Sequence, residues 1–249
     1  METLLDRAGN VVSTGASRLI DIGTGTGQLA FGALARWPDV SVVAVDASAG
    51  MRALADAHAE RQLTARDRTR FRSEVAVAEA LPFQDGSFDL ALSSFVFQLV
   101  PNRARALREA HRVLRSGGSL AYVSWLADHR AFQPDVIFDE VLDALGIGAR
   151  ESDSRSGDLP SVERAAGELR RAGFASVVAE AGLLEHRFTV DGYVAFLSEF
   201  DEETLFEELE PDLRERLLTD LRKRLRKLPA QGLTMRFPIV FASGRRSPA

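Results

Sequence analysis

Apolar residues fall in short runs that alternate with longer stretches repeating every three to four positions, and this alternation organises the first half of the chain. Residues 17–22 and 40–45 are runs of strand length, separated by a helical pattern over 29–36 that Trp37-Pro38-Asp39 closes. A second helical pattern covers 48–63. Further strands are predicted over 71–77, over 88–93 after the turn Gln84-Asp85-Gly86-Ser87, and over 119–125 after a helix at 102–114 that ends at Ser116-Gly117-Gly118. Strand and helix taking turns is the pattern of βαβ units, so a parallel sheet with covering helices is expected.

Beyond residue 126 the pattern changes. A helix over 135–145 precedes a polar, glycine-punctuated run at 146–158, then a helix at 161–172 and a strand at 174–180 that resumes at 186–188. Helices are expected across 191–228. The last of them, 211–228, sets Leu213, Leu217, Leu221, Leu225 and Leu228 on one face, with acids early and bases late as the helix dipole favours. An apolar strand at 235–243 closes the chain, so two late strands flank a helical insertion and are expected to pair at the sheet edge.

Composition narrows the classes of partner. The chain has 249 residues, 45% of them hydrophobic, and a formal net charge of -5, so a sizeable core is expected but no general attraction for nucleic-acid phosphates. The arginines between Arg103 and Arg115 read as a solvated helix face. Cysteine is absent, which removes disulfides, thiolate zinc and a cysteine nucleophile. There is no apolar run of about twenty residues and no basic-then-apolar leader, so no membrane partner is expected and a cytoplasmic protein is.

The candidate chemistry begins with Asp21-Ile22-Gly23-Thr24-Gly25-Thr26-Gly27, which joins the first strand to the first helix. Glycines there let the backbone approach a ligand, and the helix N-terminus offers free N–H groups. A carboxylate at Asp21 would repel a pyrophosphate and suits a ligand carrying ammonium or sulfonium groups. Asp46 ends the second strand about twenty residues on, the position from which a carboxylate accepts ribose hydroxyls; the alternative is a cap for the helix beginning near Ser48. Met51 and Leu54 lie where they would cover a base or pack into the core.

Four ordered segments then carry a resemblance: Leu-Ile-Asp21-Ile-Gly23-Thr-Gly25-Thr-Gly27, Val-Asp46-Ala47-Ser, Ala78-Glu79-Ala80-Leu81-Pro82-Phe83 with Asp85-Gly-Ser-Phe88-Asp89, and Arg112-Val-Leu-Arg-Ser-Gly117-Gly118. Over residues 15–125 the chain resembles the S-adenosylmethionine-dependent methyltransferase family that includes the ubiquinone and menaquinone biosynthesis enzymes. The resemblance implies an α/β, Rossmann-like fold: a seven-stranded, mostly parallel sheet with one antiparallel strand, helices on both faces and helical cap insertions. It implies one methyltransferase domain over 1–249, with a cofactor-binding core at 15–125, a cap at 126–160 and a helical insertion at 189–230. S-adenosylmethionine is the implied cofactor, with no metal, because the carboxylates that would hold magnesium after the fourth and fifth strands are missing. By resemblance Ala47 accompanies Asp46 at the cofactor, Ala78 and Glu79 lie beside adenine, Ser93, Ser94 and Phe95 border the methionyl part, and Gln98 faces the acceptor.

The chain departs from the family at Val77, where an acid usually accepts the adenine amino group, and at its short N-terminal segment. Losing that hydrogen bond is worth about 1 kcal/mol, roughly fivefold in affinity. The cover over the cofactor is therefore expected from residues preceding those given, from 126–159, or from a second copy of the chain in a homodimer. Methyl transfer needs alignment and desolvation more than a fixed triad; His129 is the best-placed base, against a solvated loop histidine as the alternative. Trp125, Phe138, Tyr193 and Phe196 are expected to enclose a small, largely apolar acceptor. The other reading is a cofactor-binding subunit or regulator without transferase activity.

Overall fold

The computed structural model describes residues 2–9, 18–128, 131–148 and 157–247. The apolar runs form strands β1 (Arg18–Ile22), β2 (Ser41–Asp46), β3 (Phe71–Val75), β4 (Phe88–Ser94), β5 (Leu114–Trp125), β6 (Phe174–Arg187) and β7 (Thr234–Arg246). They make one sheet in the order β3-β2-β1-β4-β5-β7-β6. The first five strands are parallel, and β7 runs antiparallel to β5. The expected sheet, seven-stranded and mostly parallel with one antiparallel strand, is the observed one.

The central strands read as continuous apolar runs because both of their faces are covered. Ile20 and Ile22 of β1 share a cluster with Ala106, Leu107, Ala110 and Val113 of α5 (Arg103–Val113) and with Ala165 and Leu169 of α7 (Val162–Arg171). Leu19, one residue out of phase, is equally buried and faces the other way. Helices α1 (Glu2–Gly9) and α2 (Gln28–Arg36) touch each other, and α3 (Ala49–Gln62) packs on β2 and β3. In α1, Leu4, Leu5 and Ala8 are buried and Asp6 pairs with Arg36 at 2.8 Å.

Two boundaries differ from expectation for local reasons. The predicted break at 116–118 lies inside β5: Phe88 pairs with Leu114 and Leu90 already with Ser119, so the glycine segment is looped out of an otherwise continuous strand. The two late pieces, 174–180 and 186–188, are one strand, β6, that runs through Gly182. A Cβ at Gly182 would sit 2.9 Å from the Phe241 ring, so glycine here serves a close approach and not a turn. The four-residue helix α4 (Ala65–Arg68), capped by the Thr64 hydroxyl, carries no periodicity and was not expected.

The chain divides into two compact units. Unit 1 comprises Met1–Ala127, Arg155–Gly182 and Ile239–Ala249; unit 2 comprises Asp128–Ser154 and Leu183–Pro238. Unit 2 has its own core, in which Ile137, Phe138, Val141 and Leu142 of α6 (Gln133–Leu145) meet Leu217, Leu221 and Leu225 of α10 (Pro211–Leu225). Phe188, Tyr193 of α8 (Val190–Phe196) and Phe206 of α9 (Glu203–Glu208) complete it. The leucine stripe expected on the last helix is thus the inner face of α10, with Leu213 and Leu228 only half-buried at its ends. No helix among the described residues is long and apolar enough to cross a membrane.

Candidate functional site

At the end of β1 the chain turns through Gly23–Gly27 into α2, and the turn is tied to the neighbouring strand. Gly23 and Thr24 donate their backbone N–H groups to the Val45 carbonyl at 2.8 and 2.9 Å, and Gly27 donates to the Thr24 carbonyl at 3.0 Å as the N-cap residue of α2. Gly23 has φ 71°, and a Cβ there would meet Val96 at 2.2 Å, so the loop after β4 crosses directly over it. Gly25 differs. At φ 54° its Cβ direction meets nothing within 4 Å, which leaves the outer side of the loop open to a ligand. The Thr26 carbonyl accepts from His58 Nδ1 at 3.1 Å, so His58 of α3 belongs to the loop's support rather than to the helix alone.

Asp21 is fully buried. Its Oδ2 accepts from the Thr24 hydroxyl at 2.7 Å, and its Oδ1 has no hydrogen-bond partner. Burial pushes the carboxyl up to about 7; the Thr24 hydroxyl and, more weakly, the Ala30 amide oppose that, and the like charge of Asp46 adds to it. Asp46 lies one strand away in a different setting. Its Oδ2 accepts from Gly25 N–H at 2.8 Å and its Oδ1 from Ser48 N–H at 2.9 Å. The helix cap is Ser48, whose hydroxyl accepts from Met51 N–H at 3.2 Å, so Asp46 organises the loop and leaves capping to Ser48. Each oxygen keeps a further lone pair for a ligand hydroxyl.

Ala47 follows Asp46, and beyond it Met51 and Leu54 are 42% and 46% exposed. The core-packing alternative for these two is therefore excluded. With Val75 and Val77, also half-exposed, they give the ends of β2, β3 and α3 an apolar rim that a soluble surface does not need. Ala78 is buried, and one Glu79 oxygen accepts from Asn102 N–H at 3.2 Å. Glu109 and Arg112 of α5 hold the next residues from beneath: Leu81 N–H donates to Glu109 at 2.9 Å, and Arg112 donates to the Leu81 and Phe83 carbonyls and to Asp85 at 2.7 to 2.9 Å. Arg112 in turn holds the Glu109 carboxyl below the ordinary range.

After β4 the side chains divide by role. Ser93 is buried and donates its hydroxyl to the Ile22 carbonyl at 2.8 Å, joining β4 to β1; Ser94 is partly exposed beside it. Phe95 has φ 56°, rare for a residue with a side chain, and its ring lies 4.3 Å from that of Trp125, centroid to centroid. Gln98 is buried, with its Oε1 accepting from the Ser124 hydroxyl at 2.7 Å, which turns the amide N–H₂ away from Ser124. Arg103 fastens this loop by donating to the carbonyls of Phe97 and Gly157 and to Glu168. Arg103 and Arg112 were expected on a solvated face; both instead clamp loop carbonyls, whereas Arg105, Arg108 and Arg115 keep the exposed character expected of them.

The aromatic residues expected around an acceptor do not share one environment. Phe138 and Tyr193 are interior to unit 2: Phe138 stacks on Phe206 at 6.1 Å, and Tyr193 packs on Phe132 and Phe188 and donates to Asp135. Being 0% and 1% exposed, they offer no free surface, because the apolar faces of the helices that carry them pack on each other. Phe196 is 36% exposed and tilted against Phe188. His129 lies outside the described residues.

Residues 20–122 match a family described as a methyltransferase domain. Among curated proteins, the chain is 38% identical over 112 residues to a ubiquinone/menaquinone biosynthesis C-methyltransferase of Geobacter sp. (strain M21), covering 45% of this chain and 46% of that one. It is 34% identical over 161 residues to a malonyl-[acyl-carrier protein] O-methyltransferase of Geobacter sulfurreducens, covering 65% and 57%. The chain thus spans about half the length of the curated relatives it matches. Among solved structures, the YcgJ protein from Bacillus subtilis superimposes with a TM-score of 0.64 at 20% identity, covering 100% of this chain and 99% of that one, a likeness of fold.

Proposed function

We infer that this chain, which belongs through residues 20–122 to the class I S-adenosylmethionine-dependent methyltransferases, transfers the methyl group of that cofactor to a small organic acceptor. The observation that carries the reading is Asp21: a buried carboxylate oxygen without a partner, at the end of β1 and beside a loop whose Gly25 side is open. Such a group fits a cationic ligand and disfavours a pyrophosphate. The remaining residues suit the rest of the cofactor. Asp46 retains lone pairs for the ribose hydroxyls, Met51, Leu54 and Val77 offer an apolar rim to adenine with Ala47, Ala78 and Glu79 beside it, and Ser94 and Phe95 border the methionyl part.

When bound, S-adenosylmethionine supplies a methyl group on a positively charged sulfur, reactive enough that the protein contributes chiefly placement and exclusion of water. Val96 lies directly over Gly23 and closes that side of the loop with an apolar side chain. Phe95 and Trp125 present an apolar, aromatic wall, and Gln98, whose Oε1 is held by the Ser124 hydroxyl, keeps its amide donors for an acceptor oxygen or nitrogen. Acceptor selection is assigned to Gln98, within the matched residues 20–122, and to Trp125, just beyond them.

Calorimetry with S-adenosylhomocysteine, followed by turnover of S-adenosylmethionine on a panel of phenols, amines, carboxylic acids and quinols, tests the reading. Micromolar binding with methylation of at least one class is expected. Tight binding without turnover on any class would favour a regulatory subunit, and preference for NADH over S-adenosylhomocysteine would overturn the cofactor assignment.

A further inference from the structure

We propose that Asp21 is protonated in the ligand-free protein and gives up that proton when an α-ammonium group enters the glycine-loop site, so that cofactor binding releases one proton. The inference rests on the cofactor reading above and adds a coupling to it. Its basis is geometric. Asp21 is 0% exposed, its Oδ1 has no partner, and the groups that donate to the carboxyl, the Thr24 hydroxyl and the Ala30 N–H, are both neutral.

Among the described residues, no ion pair or charge of opposite sign is found at Asp21. Its strand neighbours are Ala44 of β2 and Leu92 of β4, both apolar, and from α2 it receives the neutral Ala30 N–H. Asp46 of β2 is of like sign, and none of the ion pairs among the described residues includes Asp21. His58 of α3 is bound to the Thr26 carbonyl, on the loop and not on Asp21. A carboxylate so enclosed is more stable as the neutral acid until a cation arrives, consistent with the value of about 7. The ammonium then pairs with Oδ1, Oδ2 keeps Thr24, and the proton leaves to the buffer.

The test is titration calorimetry of the full chain with S-adenosylhomocysteine at pH 6.0, in two buffers of widely different ionisation enthalpy, repeated at half-unit steps up to pH 7. About 0.9 proton per site is expected to be released at pH 6.0, with affinity falling close to tenfold per pH unit below 7. 5′-Methylthioadenosine, which carries the nucleoside without the ammonium, should bind with no release. Asp21→Asn, a near-isostere of the neutral acid, should abolish release with S-adenosylhomocysteine, and His58→Gln should retain it. Should Asp21→Asn not fold, the comparison of the two ligands on the natural chain decides. Binding of S-adenosylhomocysteine without proton release, or release that survives Asp21→Asn or vanishes in His58→Gln, overturns the coupling alone. Absence of any S-adenosylhomocysteine binding overturns the cofactor reading and the coupling together.

Discussion

Asp21 and Asp46 end adjacent parallel strands and flank the same loop, yet they live under opposite conditions. Asp46 is partly exposed and has a backbone N–H on each oxygen, so its charge is already answered by the protein. Asp21 is enclosed, with one oxygen unanswered. The difference teaches that a strand-end position does not decide what a carboxylate does; its donors and its distance from water do. Asp46 builds the loop, and Asp21 keeps one oxygen uncommitted beneath it.

The largest expected effect separates the two by pH. A folded-state carboxyl at about 7, against an ordinary value near 4, means the ligand-free fold binds a proton that the unfolded chain has lost. Its contribution is full below about pH 4 and is lost as the pH rises through 7. Urea titrations of the natural chain and of Asp21→Asn should therefore diverge by about 4 kcal/mol between pH 4 and 8, the natural chain being the less stable at the upper end. Parallel curves would erase the contrast. Asp46→Asn should act in the other direction, lowering stability by about 2 kcal/mol because an amide cannot answer both Gly25 and Ser48 N–H groups as acceptor.

Gly25→Ala probes the loop between them. With no atom in the way the expected loss is that of the left-handed backbone alone, about 1–2 kcal/mol by thermal unfolding, whereas Gly23→Ala should fold poorly because Val96 occupies the Cβ position. The smallest effect is at the rim. If adenine lies against Val77 as proposed, Val77→Asp offers its amino group an acceptor and should tighten S-adenosylhomocysteine binding about fivefold, with stability unchanged within error. A weaker complex would place adenine elsewhere.

The parts of the molecule legible in the sequence are those fixed by neighbours in the chain. Strands β1, β2 and β4 announce themselves because burial on both faces demands mostly apolar runs, and the Asp21 to Gly27 loop because its chemistry lies within seven residues. β6 is harder to read, since most of its residues are partly or fully exposed and Gly182 looks like a break until Phe241 is seen against it. The supports of the site were invisible for the same reason. Val96 over Gly23, Ser124 on Gln98, and Arg103 on Gly157 join positions tens of residues apart, and an arginine on an amphipathic helix gives no hint of which carbonyl it will reach. Burial of Phe138 and Tyr193 within unit 2 was likewise a matter of which apolar face found which, and pattern alone does not rank partners.

The clamp of Glu109 and Arg112 beneath residues 81–85 has a thermodynamic meaning of its own. A recognition loop that is disordered before binding must surrender its conformational freedom when the ligand arrives, and that loss is subtracted from affinity. Here the freedom has been surrendered during folding, to four backbone and side-chain bonds on one guanidinium and its partner. A ligand at this edge, adenine in the proposed reading, would therefore meet a shape that is already set, and order would return some of the affinity that Val77 forgoes in contact.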